Sequence, residues 1–143
     1  MKNIKSIILI IVVIFAAGFL FMKASGWLKH QRQLALAGEL RKAISATMLD
    51  LSQAKSATIE GIPPDGQWHH STTFNTHQYG QIAYALEAKK LMRQDPKTNQ
   101  VIATHVQEFN LRRSPGDKMI IDVKVVLKQG IILSSNFRVR LRE

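Results

Sequence analysis

Ile7–Met22 reads IILIIVVIFAAGFLFM, an unbroken apolar run that leads, with no proline, into a helical stretch ending near Ala57. At a rise of ~1.5 Å per residue the run is ~24 Å long, short of a ~30 Å hydrocarbon core. Continuing to Leu28, with Lys23 snorkelling to the head groups, restores the length. Trp27 then falls at the interface, where amphipathic rings collect. The expected organisation is a membrane-anchor helix with a short basic N-terminus over residues 1–28 and an amphipathic continuation over 29–60. Residues 61–143 are expected to form a sheet region making one domain with 29–60.

Lys2 and Lys5 also give the run the positive n-region of a signal peptide. Its cleavage sites are poor. A cut after Ala17 puts Phe15 at the third position back, and a cut after Ala24 puts Met22 there, so an uncleaved anchor is the better reading. Lys23, Lys29 and Arg32 after the run nearly balance Lys2, Lys5 and the terminal amine before it, leaving little positive-inside asymmetry. A short basic N-terminus ahead of a signal-like segment is expected to stay cytoplasmic, with the C-terminal domain outside. The absence of cysteine means that no disulfide framework is in use.

With about 30 of 143 residues spent on the anchor, the remainder suits one small domain with a modest core. Lys and Arg number 20 against 10 Asp and Glu, a formal charge of +10. That surplus favours acidic lipid head groups, nucleic acid or an acidic partner without choosing among them. The basic residues are scattered, as on a solvated face near an anionic membrane.

After the anchor, Leu36, Leu40, Ile44, Met48 or Thr47, Leu51 and Ala54 recur at spacings of three and four, one apolar stripe on a helix. Ala35, Ala37, Ala43 and Ala46 permit close approach of another element. Gly61-Ile62-Pro63-Pro64-Asp65-Gly66 must stop the helix. Gln67 to Gln78 is polar, rich in Thr and His, and shows no clear period.

From Gln81 the period becomes two. Ile82, Tyr84 and Leu86 alternate with Ala83, Ala85 and Glu87; Lys89-Lys90 turns the chain, and Leu91-Met92-Arg93 returns. Asp95 to Asn99 is turn chemistry, followed by short strands at Val101–Ala103 and through Val106, Phe109 and Leu111; Ser114 to Asp117 turns again. In the last hairpin Met119, Ile121, Val123, Val125 and Leu127 share one face and Lys118, Asp122, Lys124 and Lys128 the other. Gln129-Gly130 turns it, and Leu133, Phe137, Val139 and Leu141 alternate with Ser134, Asn136, Arg138, Arg140 and Arg142. Such alternation predicts an antiparallel sheet with one wet face and one covered face. Only the helix stripe is long enough to cover it. The fold class is therefore α+β: a long N-terminal helix, transmembrane then amphipathic, packed on an antiparallel meander of about four to six strands.

Few residues carry reactive chemistry. His69, His70 and His77 with Asp65 could ligate a metal, but no HxxxH or HExxH spacing puts two imidazoles on one helix face. No nucleophile motif or Gly-rich phosphate loop is present. No metal, cofactor or enzymatic activity is implied, and Asp50 is expected at the helix–sheet boundary making hydrogen bonds. Arg138, Arg140 and Arg142, at alternate strand positions, would place three guanidinium groups ~7 Å apart on one face. Lys124 or Lys128 could extend that row into an anion or DNA site, and the alternative function is then a membrane-tethered basic module binding nucleic acid or an envelope partner. The competing reading is an edge strand whose charges discourage aggregation.

Several segments resemble bacterial type IV pilins and type II secretion minor pseudopilins. Met48-Leu49-Asp50-Leu51-Ser52-Gln53-Ala54 resembles the "DLxQA" close of their helix. Ile82–Leu86 followed by Leu91–Arg93 is similar to their "YxL…LxR" hairpin, and Val101–Phe109 to their "vLAxxVxxFxf" strand entry. Phe137–Arg142 resembles their Arg-rich last strand. The resemblance runs from about Gln33 to Glu143. It implies a pilin-like fold and a structural subunit, at the tip or as initiator, single-pass in the bacterial inner membrane with its C-terminal domain periplasmic or extracellular. Its implied partners are other pilin-like subunits through the N-terminal helix, membrane lipid and, in an uptake role, DNA. The family's processing signal and the Glu at the fifth mature position are absent: Lys5-Ser6-Ile7 leads straight into the apolar run, and no carboxylate precedes Glu39. The family's tip subunit also lacks that Glu. An intramembrane carboxylate is expensive unless partnered, so its loss eases anchoring while removing a handle for ordered assembly.

Overall fold

The computed structural model describes residues 2–143, with side chains from Ile10 onward. Lys2, Lys5 and Ile7 to Leu9 of the expected anchor lie outside the residues whose side chains are described. A single α-helix, α1, spans Lys2–Gln53 and passes through Gly38 without interruption. One compact unit ends at Ala35 and a second spans Leu36–Glu143. In the first, every large apolar side chain from Ile10 to Met22 is exposed, and the helix is long and apolar enough to cross a membrane.

The second unit combines the C-terminal turns of α1 with seven strands. β1 (Ser71–Thr76), β2 (Gly80–Glu87), β3 (Lys90–Gln94) and β4 (Asn99–Ala103) form one sheet in that order. β5 (Val106–Ser114), β6 (Asp117–Gln129) and β7 (Ile131–Arg140) form another. All neighbours are antiparallel. The expected helix over sheet is present, but the strands number seven and divide into two sheets. They meet where β5 runs against β1, β2 and β3, and His69 pairs with Leu111.

The helix ends at Gln53, earlier than the expected boundary before Gly61. Ala54 and Lys55 leave the helical ladder for backbone partners: Lys55 N donates to Asn75 O at 3.3 Å, and Arg142 N donates to Ala54 O at 3.1 Å. Ser56–Thr58 makes one 3₁₀ turn. Gly61 has φ +82°, and a Cβ there would lie 2.9 Å from the Ser71 carbonyl oxygen, so glycine alone fits this close approach.

The core is built from the alternating residues of both sheets. Phe74, Tyr84 and Phe109 run across it with ring centroids 6.4 and 6.0 Å apart, within aromatic pairing range. Ile121, Val123, Val125 and Leu127 of β6 are fully buried, as the period of two requires. β1 is the strand that polar composition concealed: Thr72, Phe74 and Thr76 are its buried positions.

Candidate functional site

On α1, Leu36 and Leu51 are buried, Leu40 and Ile44 are half-buried, and Met48 is 41% exposed. Thr47 occupies that turn's inward position instead. The buried residues here are Leu36, Ala43, Thr47, Asp50 and Leu51 on the helix and Ala54 just past its end. Small side chains at 43, 47 and 54 let the helix backbone approach the sheet, and Met48, a step of about 100° around the helix, falls outside the seam.

Two polar ties fasten this seam. Near its end, buried Asp50 Oδ2 accepts a hydrogen bond from Tyr84 Oη at 2.7 Å and from Arg93 Nε at 2.6 Å; Arg93 Nη2 reaches Oδ1 at 3.4 Å. Arg93 Nη1 also donates to Asp95 Oδ2 at 2.8 Å. Burial, then the Asp50 charge, raises the Tyr84 phenol pKa above its ordinary value. The Asp50 hydrogen bond raises that of Arg93 in turn. The Lys97 N–H, then the Thr98 hydroxyl, hold Asp95 down at about 2. At the other end, Glu39 Oε2 accepts the Thr104 N–H at 2.9 Å. Burial works against the Glu39 charge, but the bonds from Thr104 and Lys42 outweigh it and lower its pKa. Both arrangements join helix to sheet.

Arg138, Arg140 and Arg142 are all exposed and alternate with buried Val139 and Leu141. Arg138 and Arg140 are exposed on β7, an edge of the three-stranded sheet, whereas Arg142 lies beyond the strand, its backbone bridged to Lys55. Arg138 Nε sits 2.8 Å from Asp122 Oδ1, an ionic contact rather than a directed hydrogen bond, and Arg140 Nη1 is 4.0 Å from Asp117. Lys124, expected to extend the row, is 2.9 Å from Glu108. Asp122 is 6% exposed because Arg112 covers its other side at 3.1 Å, and the Arg112 guanidinium lies 4.4 Å over the Trp68 ring. Trp68, Arg112, Asp122, Asn136 and Arg138 line an open hollow. Arg112 and Trp68 were not singled out from sequence. Placing the turn at Gly130 would have set Asp122 opposite Arg138, as the register does.

Of the possible metal ligands, His69 Nε2 pairs with Asp65 at 3.1 and 3.2 Å, and His70 Nδ1 with Asn110 Oδ1 at 2.7 Å. The Gln67 N–H, then His69, lower the Asp65 pKa. Exposed His77 lies in the turn between β1 and β2. Among the described residues no group of three or more His, Cys, Asp or Glu side chains is placed to hold a metal ion.

No family model, curated protein or solved structure matches the chain.

Proposed function

We propose that the chain is a non-catalytic, pilin-like structural subunit. In this reading it is anchored by α1 in a bacterial inner membrane, with the β unit outside, and docks with sister subunits through the apolar part of the helix. The observation that carries the reading is the double use of α1. The helix that bears a fully exposed apolar surface at Ile10–Met22 also supplies Leu36, Leu51 and Asp50 to the core of the β unit. Such a helix serves both membrane retention and packing in a bundle of like helices, and the sequence resemblance points to the same use. A membrane-tethered module binding DNA is the weaker reading, because Arg138, Arg140 and Lys124 already face Asp122, Asp117 and Glu108.

The test is photo-crosslinking in cells from Val12 and Phe15, both exposed on α1, with mass spectrometry of the adducts. Pilin-like proteins among the adducts support an assembly subunit. Adducts to lipid or unrelated envelope proteins alone would reject it and leave a tethered domain.

A further inference from the structure

Three turns of the β unit converge at one end. Val106 N, just after the β4–β5 turn, donates to Lys89 O in the β2–β3 turn at 2.9 Å. Lys128 N, just before the β6–β7 turn, donates to His105 O at 2.9 Å. Glu39, among the first residues of the second unit, reaches the same turn through Thr104.

This end is basic and largely unneutralised. Lys89, Lys90 and Lys128 are exposed, and among the described residues none of them makes an ion pair. The nearby acids are Glu87, opposite Lys90 across the hairpin, and Glu39, already engaged by Lys42 at 3.2 Å and by Thr104. The backbone is also unusual here. The three non-glycine residues with positive φ among those described, Ala88 (46°), Lys89 (62°) and His105 (60°), all lie in these turns. A tight hairpin ordinarily takes Asn-Gly at such positions, and each other residue costs on the order of 1 kcal/mol. The chain tolerates that strain while keeping a lysine at the tip.

The tether is short. In sequence, residues 29–35 alone lie between the end of the expected span at Leu28 and the second unit, so the anchor keeps that unit near the membrane. We propose that this end is a docking surface for anionic lipid head groups, formed by Lys89, Lys90 and Lys128. The proposal rests on the membrane-anchored reading. The anchor supplies proximity, and the lysines convert it into a docked orientation wherever the lipid is acidic.

The chain has no cysteine, so single labels are clean. Full-length protein carrying a spin label at Gln129→Cys, beside the basic turns, or at Gly116→Cys, in the β5–β6 turn where added atoms meet nothing within 4 Å, is reconstituted in vesicles. The vesicles are phosphatidylcholine alone or mixed with phosphatidylglycerol, with a gadolinium-headgroup lipid as relaxation probe. The expected result is strong relaxation at 129 but not at 116, only with phosphatidylglycerol, and lost in high salt. Lys89→Gln, Lys90→Gln and Lys128→Gln together should lower the docked-to-undocked ratio about a hundredfold, at about fivefold per lysine. Relaxation at 129 that ignores phosphatidylglycerol and salt would overturn the docking surface while the anchor stands. Failure of the chain to float with phosphatidylcholine vesicles would overturn the anchor and the proposal together.

Discussion

Asp50→Ala is the substitution that tests the seam most directly. It removes the acceptor of three bonds at 2.6, 2.7 and 3.4 Å and leaves Tyr84, fully buried, and Arg93, 8% exposed, facing the gap. Removing one partner of a buried ion pair costs about 3–5 kcal/mol. Arg93 retains Asp95 at 2.8 Å, which places the expected loss at the lower bound, about 3 kcal/mol, or roughly 15 °C in Tm for a domain of this size. Tyr84→Phe, which leaves Asp50 both of its Arg93 contacts, should cost only about 1 kcal/mol. Asp50→Ala combined with Arg93→Met should be less harmful than the sum of the two, with a coupling of about 2 kcal/mol, because the double variant buries no orphaned charge. The assay is urea unfolding of full-length protein in detergent micelles, followed by pulse proteolysis so that the anchor does not mask the transition. A loss below about 1 kcal/mol for Asp50→Ala, or additive single effects, would refute the view that this carboxylate fastens helix to sheet.

Other perturbations have definite signs. Thr47 is fully buried with its hydroxyl unpartnered, so Thr47→Val, which keeps the shape, should raise stability by about 1 kcal/mol in the same assay. Gly61→Ala should lower it by about 2 kcal/mol, since the new Cβ meets the Ser71 carbonyl in a left-handed backbone; an unchanged midpoint would contradict that approach. Asp95 and Glu39 have folded pKa values below their ordinary 3.8 and 4.5, so they stabilise above those values. That contribution should fade as pH falls from about 4.5 toward 2. Tyr84 is the opposite case: its raised phenol pKa means that stability should decline as pH rises past about 10. A flat urea midpoint across both windows would show that these groups are not linked to folding.

Legibility in the sequence followed the cleanness of the hydrophobic period. β6 alternates Ile121, Val123, Val125 and Leu127 with polar residues and could be read directly, and so could the α1 stripe except at Met48, whose inward place Thr47 takes. β1 could not, because its inward residues are Thr72, Phe74 and Thr76, and threonine disguises a buried face as a polar one. Thr72 Oγ1 satisfies itself on the Glu60 carbonyl, a partner invisible from the strand alone. The division into two sheets was equally hidden, since β4 and β5 are joined by only Thr104 and His105 and look continuous with a single meander. Asp50 was anticipated as a hydrogen-bonding boundary residue, but its partners Tyr84 and Arg93 follow from three-dimensional register. The exposed alternation of Arg138, Arg140 and Arg142 was legible, but the acids facing Arg138 and Arg140 and the bonds of the Arg142 backbone to the end of α1 were not.

That last contact also governs when the β unit can be finished. Arg142 N donates to Ala54 O, and Ser56 N donates to Arg142 O at 3.0 Å, so the close of α1 waits on a residue made long after it. Pairing across so great a sequence separation must recover a large loop-closure entropy, which slows folding. During synthesis the apolar helix emerges first and Lys55 N can pair once Asn75 is made, while the Ala54 carbonyl and the Ser56 N–H wait for residue 142. Completion of the unit is thereby deferred until residue 142 is made, and these two backbone groups at the helix end stay unpaired throughout that interval.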